Sequence, residues 1–136
     1  MNKIFYISFL LMAMFQSTAW AETKIDLTCK VSGLKVSGEA SKENFVEKIH
    51  ITHSLSKDGW GISMSEIISD GAKLETNLIA LEKDYAVLAY STTVGSGFNK
   101  NLIVINYVLD LQAMELTRTI TSLPKGKEER TTGKCK

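Results

Sequence analysis

Only two side chains in the 136-residue sequence carry an imidazole, His50 and His53 in the segment EKIHITHSL, so a metal centre or an activated serine would have to recruit one of them. On a helix an i, i+3 pair shares a face and could hold an ion. On a strand successive side chains alternate, which sends these two to opposite faces. With two cysteines and no third histidine, a tetrahedral zinc set would need distant carboxylates. A serine nucleophile needs a base within hydrogen-bond reach, and Ser54 and Asp58 are neighbours of His53 only along the chain. The elbow G-x-S-x-G is absent, because Gly95-Ser96-Gly97 lacks the outer spacing. Nor does VGSGFNKN make a phosphate loop, since Lys100 precedes Asn101 and a strand-like run instead of Ser or Thr and a helix. The carboxylates Glu66, Asp70, Glu75, Glu82, Asp84 and Asp110 fall near turns, where solvated side chains are the ordinary occupants. A glycosidase would need two of them opposed across a cleft. The expectation is a non-enzymatic protein with no catalytic residue, no metal and no cofactor.

The elements that position these residues read as strands. Short β-branched or aromatic runs are separated by Gly, Asp and Asn, the pattern of antiparallel hairpins. KIDLTCKV places Ile25, Leu27 and Cys29 on one face. EKIHITHSL places Ile49, Ile51, His53 and Leu55 on one face, with Lys48, His50, Thr52 and Ser54 on the other. SKDG then supplies an Asp-Gly turn into WGISMSEII, with Trp60, Ile62 and Met64 aligned. DYAVLAYSTTV and LIVINYVLDL are apolar on both faces, as central strands are, with GSGFNKN as the loop between them. ELTRTITSL alternates Leu116, Arg118 and Ile120 against the row Thr117, Thr119 and Thr121. Two segments fit either state. SKENFVEKI could open a short helix capped by Ser41, with Phe45 and Ile49 at i, i+4. AKLETNLIALEKD has Leu74, Leu78 and Leu81 on one helical face, but its place between hairpin partners favours a strand. Beyond Pro124 lies the charged tail KGKEERTTGKCK, whose first part, KGKEER, mixes both signs of charge and reads as a solvated loop. The expected fold is all-β, an antiparallel meander of about seven strands in a small barrel or sandwich, with at most one short helix.

The N-terminal residues MNKIFYISFLLMAMFQSTAWAETK carry Lys3, an apolar run from Ile4 to Phe15 and the small residues Ala19 and Ala21. This is the plan of a secretory signal peptide over residues 1–21, and about 12 apolar residues are too few to span a bilayer core. No cysteine stands at the cleavage position to take a lipid. The expected remainder, residues 22–136, is a single β domain of about 115 residues without a membrane span, periplasmic or secreted. In that oxidising setting Cys29 and Cys135 have one intramolecular pairing, and a disulfide would staple the last strand to the first. The whole chain has a formal net charge of +1, and Lys3 is the leader's only charge. A balance near zero excludes a dedicated nucleic-acid binder.

The frame running from LTC at Cys29 to TGKC at Cys135 resembles small exported proteins of Gram-negative bacteria in which an early cysteine is bridged to a C-terminal Gly-x-Cys. In size and β-rich build the chain is also similar to some periplasmic lysozyme inhibitors, whose inhibitory loops carry Ser-Gly followed by Tyr. Here Ser96-Gly97 is followed by Phe98. Export, a disulfide staple, a compact β scaffold and the lack of a catalytic constellation lead to the expectation of a non-enzymatic exported binding protein with an envelope or host protein as its partner. The alternative is a periplasmic carrier of a small apolar ligand. Loop tips on rigid β scaffolds carry function, so Phe98 with Asn99 and Lys100, and Trp60 beside the first hairpin turn, are the candidate contacts. Phe98 could equally fold back as a lid on the core.

Overall fold

The structure, a computed structural model, describes residues 21–34, 40–56 and 61–136. All but the last residue of the expected leader, the Asp58-Gly59 turn and Trp60 lie outside them. Eight strands follow one another in a closed, all-antiparallel barrel: β1 (Ala21–Leu34), β2 (Ala40–Leu55), β3 (Gly61–Ser69), β4 (Ala72–Leu81), β5 (Tyr85–Val94), β6 (Asn101–Asp110), β7 (Glu115–Leu123) and β8 (Lys127–Cys135). Each strand pairs with its sequence neighbours, and β8 returns to β1.

The eighth strand takes in most of the KGKEER segment expected to be a loop. Its residues alternate, with Glu129, Thr131 and Gly133 opposite the inward residues Ile120, Arg118 and Leu116 of β7. Polar side chains at inward positions concealed the period. The possible helix over SKENFVEKI is instead part of β2, which pairs with β1 along most of its length. A separation of four residues puts Phe45 and Ile49 on one face in either state. What distinguishes the two is Glu47, which a strand turns to the same side. AKLETNLIALEKD forms β4, as its place between hairpins suggested. Asp70 and Gly71 (φ 49° and 83°) make the two-residue connection between β3 and β4, both in the left-handed region that suits the twist of a hairpin.

β5 and β6, the two-faced apolar runs, pair from Tyr85 opposite Asp110 to Val94 opposite Asn101. Asp110 then shapes the turn into β7, accepting the backbone N–H groups of Gln112 (3.0 Å) and Ala113 (2.7 Å). The seam between β8 and β1 is short, with three rungs: Cys29 opposite Cys135, Lys30 opposite Lys134 and Val31 opposite Gly133. Thr28 and Lys136 extend it by exchanging backbone hydrogen bonds of 3.0 Å. A Cβ on Gly133 would lie 2.5 Å from the Lys30 carbonyl oxygen, so glycine is what lets the two edges meet. The expected Cys29–Cys135 disulfide is present and crosses this seam, joining residues 106 apart in sequence.

β4 is shared between two walls. Its first half, Ala72–Thr76, pairs with β3, and its second half, from Asn77 to Leu81, pairs with β5 across a bulge between Leu78 and Ala80. The bulge turns Ile79 to solvent and brings Leu81 against the core.

An eight-stranded barrel has an interior just wide enough for side chains to fill. Here Ile49, Ile51, Ile67, Leu88, Ile105, Leu109 and Leu116 are fully buried, each contributing about 1.5–3 kcal/mol on transfer from water. Among them sit two charges. Arg118 donates through Nη1 to Glu47 Oε1 (2.7 Å), and both side chains are wholly enclosed. Ser69 donates to the same oxygen at 3.2 Å, and the guanidinium lies 4.7 Å from the centre of the Phe45 ring.

Candidate functional site

The loop between β5 and β6 is the most prominent exposed feature. Gly95 (φ 104°) leaves β5 in a conformation that side-chain-bearing residues rarely adopt, and a Cβ there would lie 2.4 Å from the Asn99 carbonyl oxygen. Asn99 N–H donates to the Ser96 carbonyl at 3.3 Å, closing a turn over Gly97 and Phe98. Phe98 is 110 % exposed, so the lid expectation is overturned: the closed turn holds the ring clear of the core. Asn99 and Lys100 are also exposed. Leu102 and Leu123, opposite one another on β6 and β7, add partly exposed apolar surface at the same end of the barrel, as does Val94 at the base of the loop. An aromatic side chain in water on a constrained turn is a ready anchor for a partner's pocket. The other candidate contact, Trp60, lies outside the described residues.

The two histidines face opposite sides, and each has a partner the sequence did not identify. His50 Nδ1 is 2.6 Å from Asp26 Oδ1, on the outer face. His53 Nδ1 is 2.7 Å from Ser63 Oγ, its cross-strand neighbour on β3. The Ser63–His53 contact has the first geometry of a nucleophile and its base. Among the described residues no carboxylate hydrogen-bonds the ring to orient it as a triad requires.

Cross-strand registry sets Asp26, His50, Glu66 and Glu75 side by side across the outer face of β1 to β4. Glu66 and Glu75 are directly opposed, and Lys73 offsets their repulsion with a 2.5 Å ion pair to Glu66, which holds its ammonium charged to higher pH than usual. His50, Glu66, Lys73 and Glu75 of this face, with Ser63 and Met64, line a groove of about 440 Å³ where β3 and β4 part. Ser65 and Thr76 close its inner end, Thr76 Oγ1 donating to Ser65 Oγ (2.8 Å) and Ser65 Oγ to the Thr76 carbonyl (2.9 Å). No group of three or more His, Cys, Asp or Glu among the described residues is arranged to hold a metal ion. Asp84 accepts Gln112 Nε2 at 2.7 Å, so like Asp110 it serves a turn.

The buried Glu47–Arg118 pair is the chief chemical feature that sequence reasoning missed. Burial pushes the Glu47 carboxyl above its ordinary range, against the opposing pull of Arg118. Tyr107, opposite Arg118 on β6, is likewise pushed up by burial and by Glu47, against the opposing pull of Arg118. Glu47 Oε2 and Thr131 Oγ1 make no hydrogen bond among the described residues. The visible signal was the alternation Leu116, Arg118, Ile120, which sets a cation between two core positions.

Comparison of the chain with protein-family models, with curated proteins and with solved structures finds no match. No helix among the described residues is long and apolar enough to cross a membrane.

Proposed function

We propose that the protein is a non-enzymatic, exported binding module whose β5–β6 loop docks onto a protein of the envelope or of a host. The observation that carries this reading is the full exposure of Phe98 on a turn constrained by Gly95 and the Ser96–Asn99 hydrogen bond. A constrained loop loses little conformational entropy on binding, and a single buried aromatic commonly dominates an interface. The disulfide fits an oxidising compartment and supports export.

A narrower reading is a lysozyme-inhibitor-like protein, in which Ser96-Gly97-Phe98 stands where the inhibitors carry Ser-Gly-Tyr. The carrier alternative has less support, because Arg118, Tyr107, Glu47 and the aliphatic side chains around them occupy the middle of the barrel.

The test is affinity capture with oxidised protein as bait against periplasmic, outer-membrane and host-secretion extracts, alongside reduced protein and Phe98→Ala. A partner held by the oxidised form and lost on both changes is the expected result. A partner indifferent to Phe98→Ala, or none at all, rejects the loop as the contact. Assays of peptidoglycan hydrolysis by lysozymes with and without the protein decide the narrower reading.

A further inference from the structure

We infer that the parting between β3 and β4 is a second binding site, which takes an extended peptide as an added strand. β3 pairs with β2 from Leu55 opposite Gly61 to Glu47 opposite Ser69, but with β4 only from Ser65 to Ser69. The outer edge of Gly61–Met64 therefore has no strand partner among the described residues. β4 turns away at the same level, since Asn77–Leu81 pairs with β5 on its other side and leaves its β3-facing edge equally unpaired. The two backbone edges part at a groove whose lining includes Ser63, Met64 and Thr76 and the charged Glu66, Lys73 and Glu75. A strand entering there would run antiparallel to one edge and parallel to the other, hydrogen-bonding both.

The barrel has other unpaired edges, and their sequences show why this one is different. Proteins blunt exposed edges with charge. The free edge of β1 carries Glu22, Lys24 and Asp26, and that of β8 carries Lys127, Glu128, Glu129 and Arg130. Where β4 parts from β5 at the far end, the β4 edge carries Lys73 and Glu75, although the β5 edge Tyr90–Val94 is uncharged. Gly61-Ile62-Ser63-Met64 and Asn77-Leu78-Ile79-Ala80-Leu81 have no charge on either side. Their apolar side chains are in water: Ile62 is 59 % exposed, Met64 70 % and Ile79 64 %.

These observations define the occupant. A second barrel would bring its own walls to a cleft bounded on both sides, whereas a single extended segment needs only the width of one strand. Alternating apolar residues in that segment would lie beside Ile62, Met64 and Ile79 on the outer face, and small polar residues would meet Ser63 and Thr76 within. The adjacent row of Asp26, Glu66 and Glu75 is offset by Lys73 and by His50 only when protonated, which favours a basic residue at the end of the peptide nearest β4's turn. The site does not involve the β5–β6 loop.

The probe is a pool of nonapeptides alternating Val, Ile, Leu or Phe with Ser or Thr and ending in Arg, with the same pool interrupted by a central proline as control. Amide hydrogen exchange of the oxidised protein is followed by NMR. The alternating pool should slow exchange at residues 61–64 and 77–81 by about tenfold or more. The proline pool should do nothing, and Phe98→Ala should leave the effect intact. Ile62→Lys, a change at an exposed position, should abolish it without shifting the unfolding midpoint. Protection elsewhere, protection that survives Ile62→Lys, or no protection from any member of the pool overturns the site. Protection of the same amides by raising protein concentration alone would show that the edge pairs with a second copy and would overturn the peptide.

Discussion

Arg118 on β7 reaches across the barrel to Glu47 on β2 at 2.7 Å, and neither side chain touches solvent. The pair joins opposite walls through a medium in which each charge alone would be poorly tolerated. Replacing one partner leaves the other enclosed and uncompensated. Arg118→Met and Glu47→Leu should each lower stability by about 3–5 kcal/mol, whereas the double replacement should come within about 1–2 kcal/mol of the parent or exceed it. Urea unfolding of the four proteins measures this, and equal losses in the double and single variants would show that the pair is not coupled.

The same carboxyl sets a pH dependence. Its folded pKa is raised, so the native state holds the proton more tightly than the unfolded chain. The stability this contributes is fully present below the unfolded carboxylate pKa and is lost as pH rises through the folded value. Glu47→Gln should remove that component from a plot of stability against pH between the two values. An unchanged plot would assign the dependence to other groups.

Tyr107 offers a further case. Its buried hydroxyl faces the Arg118 guanidinium of the neighbouring strand, which hydrogen-bonds it and partly offsets the effect of burial. Tyr107→Phe should lower thermal stability by about 1–3 kcal/mol, and stability kept or raised would show that the hydroxyl is unsatisfied.

Reduction, or Cys29→Ala with Cys135→Ala, opens the three-rung seam between β1 and β8. A loss of about 2–5 kcal/mol is expected from the long loop that the bond closes. Exchange should accelerate first at Cys29–Val31 and Gly133–Cys135. Acceleration first at the long β5–β6 ladder would contradict the seam as the weak place.

Ser63 should remain unlabelled by a fluorophosphonate probe, since its contact with His53 lacks an orienting carboxylate among the described residues. Labelling at Ser63, read by peptide mass spectrometry, would reopen hydrolysis.

Strands with clean alternation or apolar residues on both faces were legible in the sequence: β5, β6 and β7 fall where ordinary strand patterning puts them. β8 was not, because its inward residues Glu129, Thr131 and Gly133 are polar or small and its outward ones are charged, so hydropathy shows no period. β2 was half legible. Phe45 and Ile49 fit two periodicities, and the residue that separates them, Glu47, looks like a solvent residue until Arg118 is known to face it. That pairing spans 71 positions and has no local trace. The loop bearing Phe98 could be located from Gly95 and Gly97, but the direction of its ring depends on the Ser96–Asn99 turn. The unpaired edges beside Ile62 and Ile79 follow from β4 changing partners, a property of the closed sheet with no signature in any one segment.

The 106-residue separation of the two cysteines also bears on biogenesis. In a chain made from its N-terminus, Cys29 emerges 106 residues before its mate, so its thiol meets that mate only after β2 to β7 have been made. With only two cysteines in the sequence there is no wrong intramolecular partner to trap it. An oxidant therefore acts on a chain in which those strands are already available to pair.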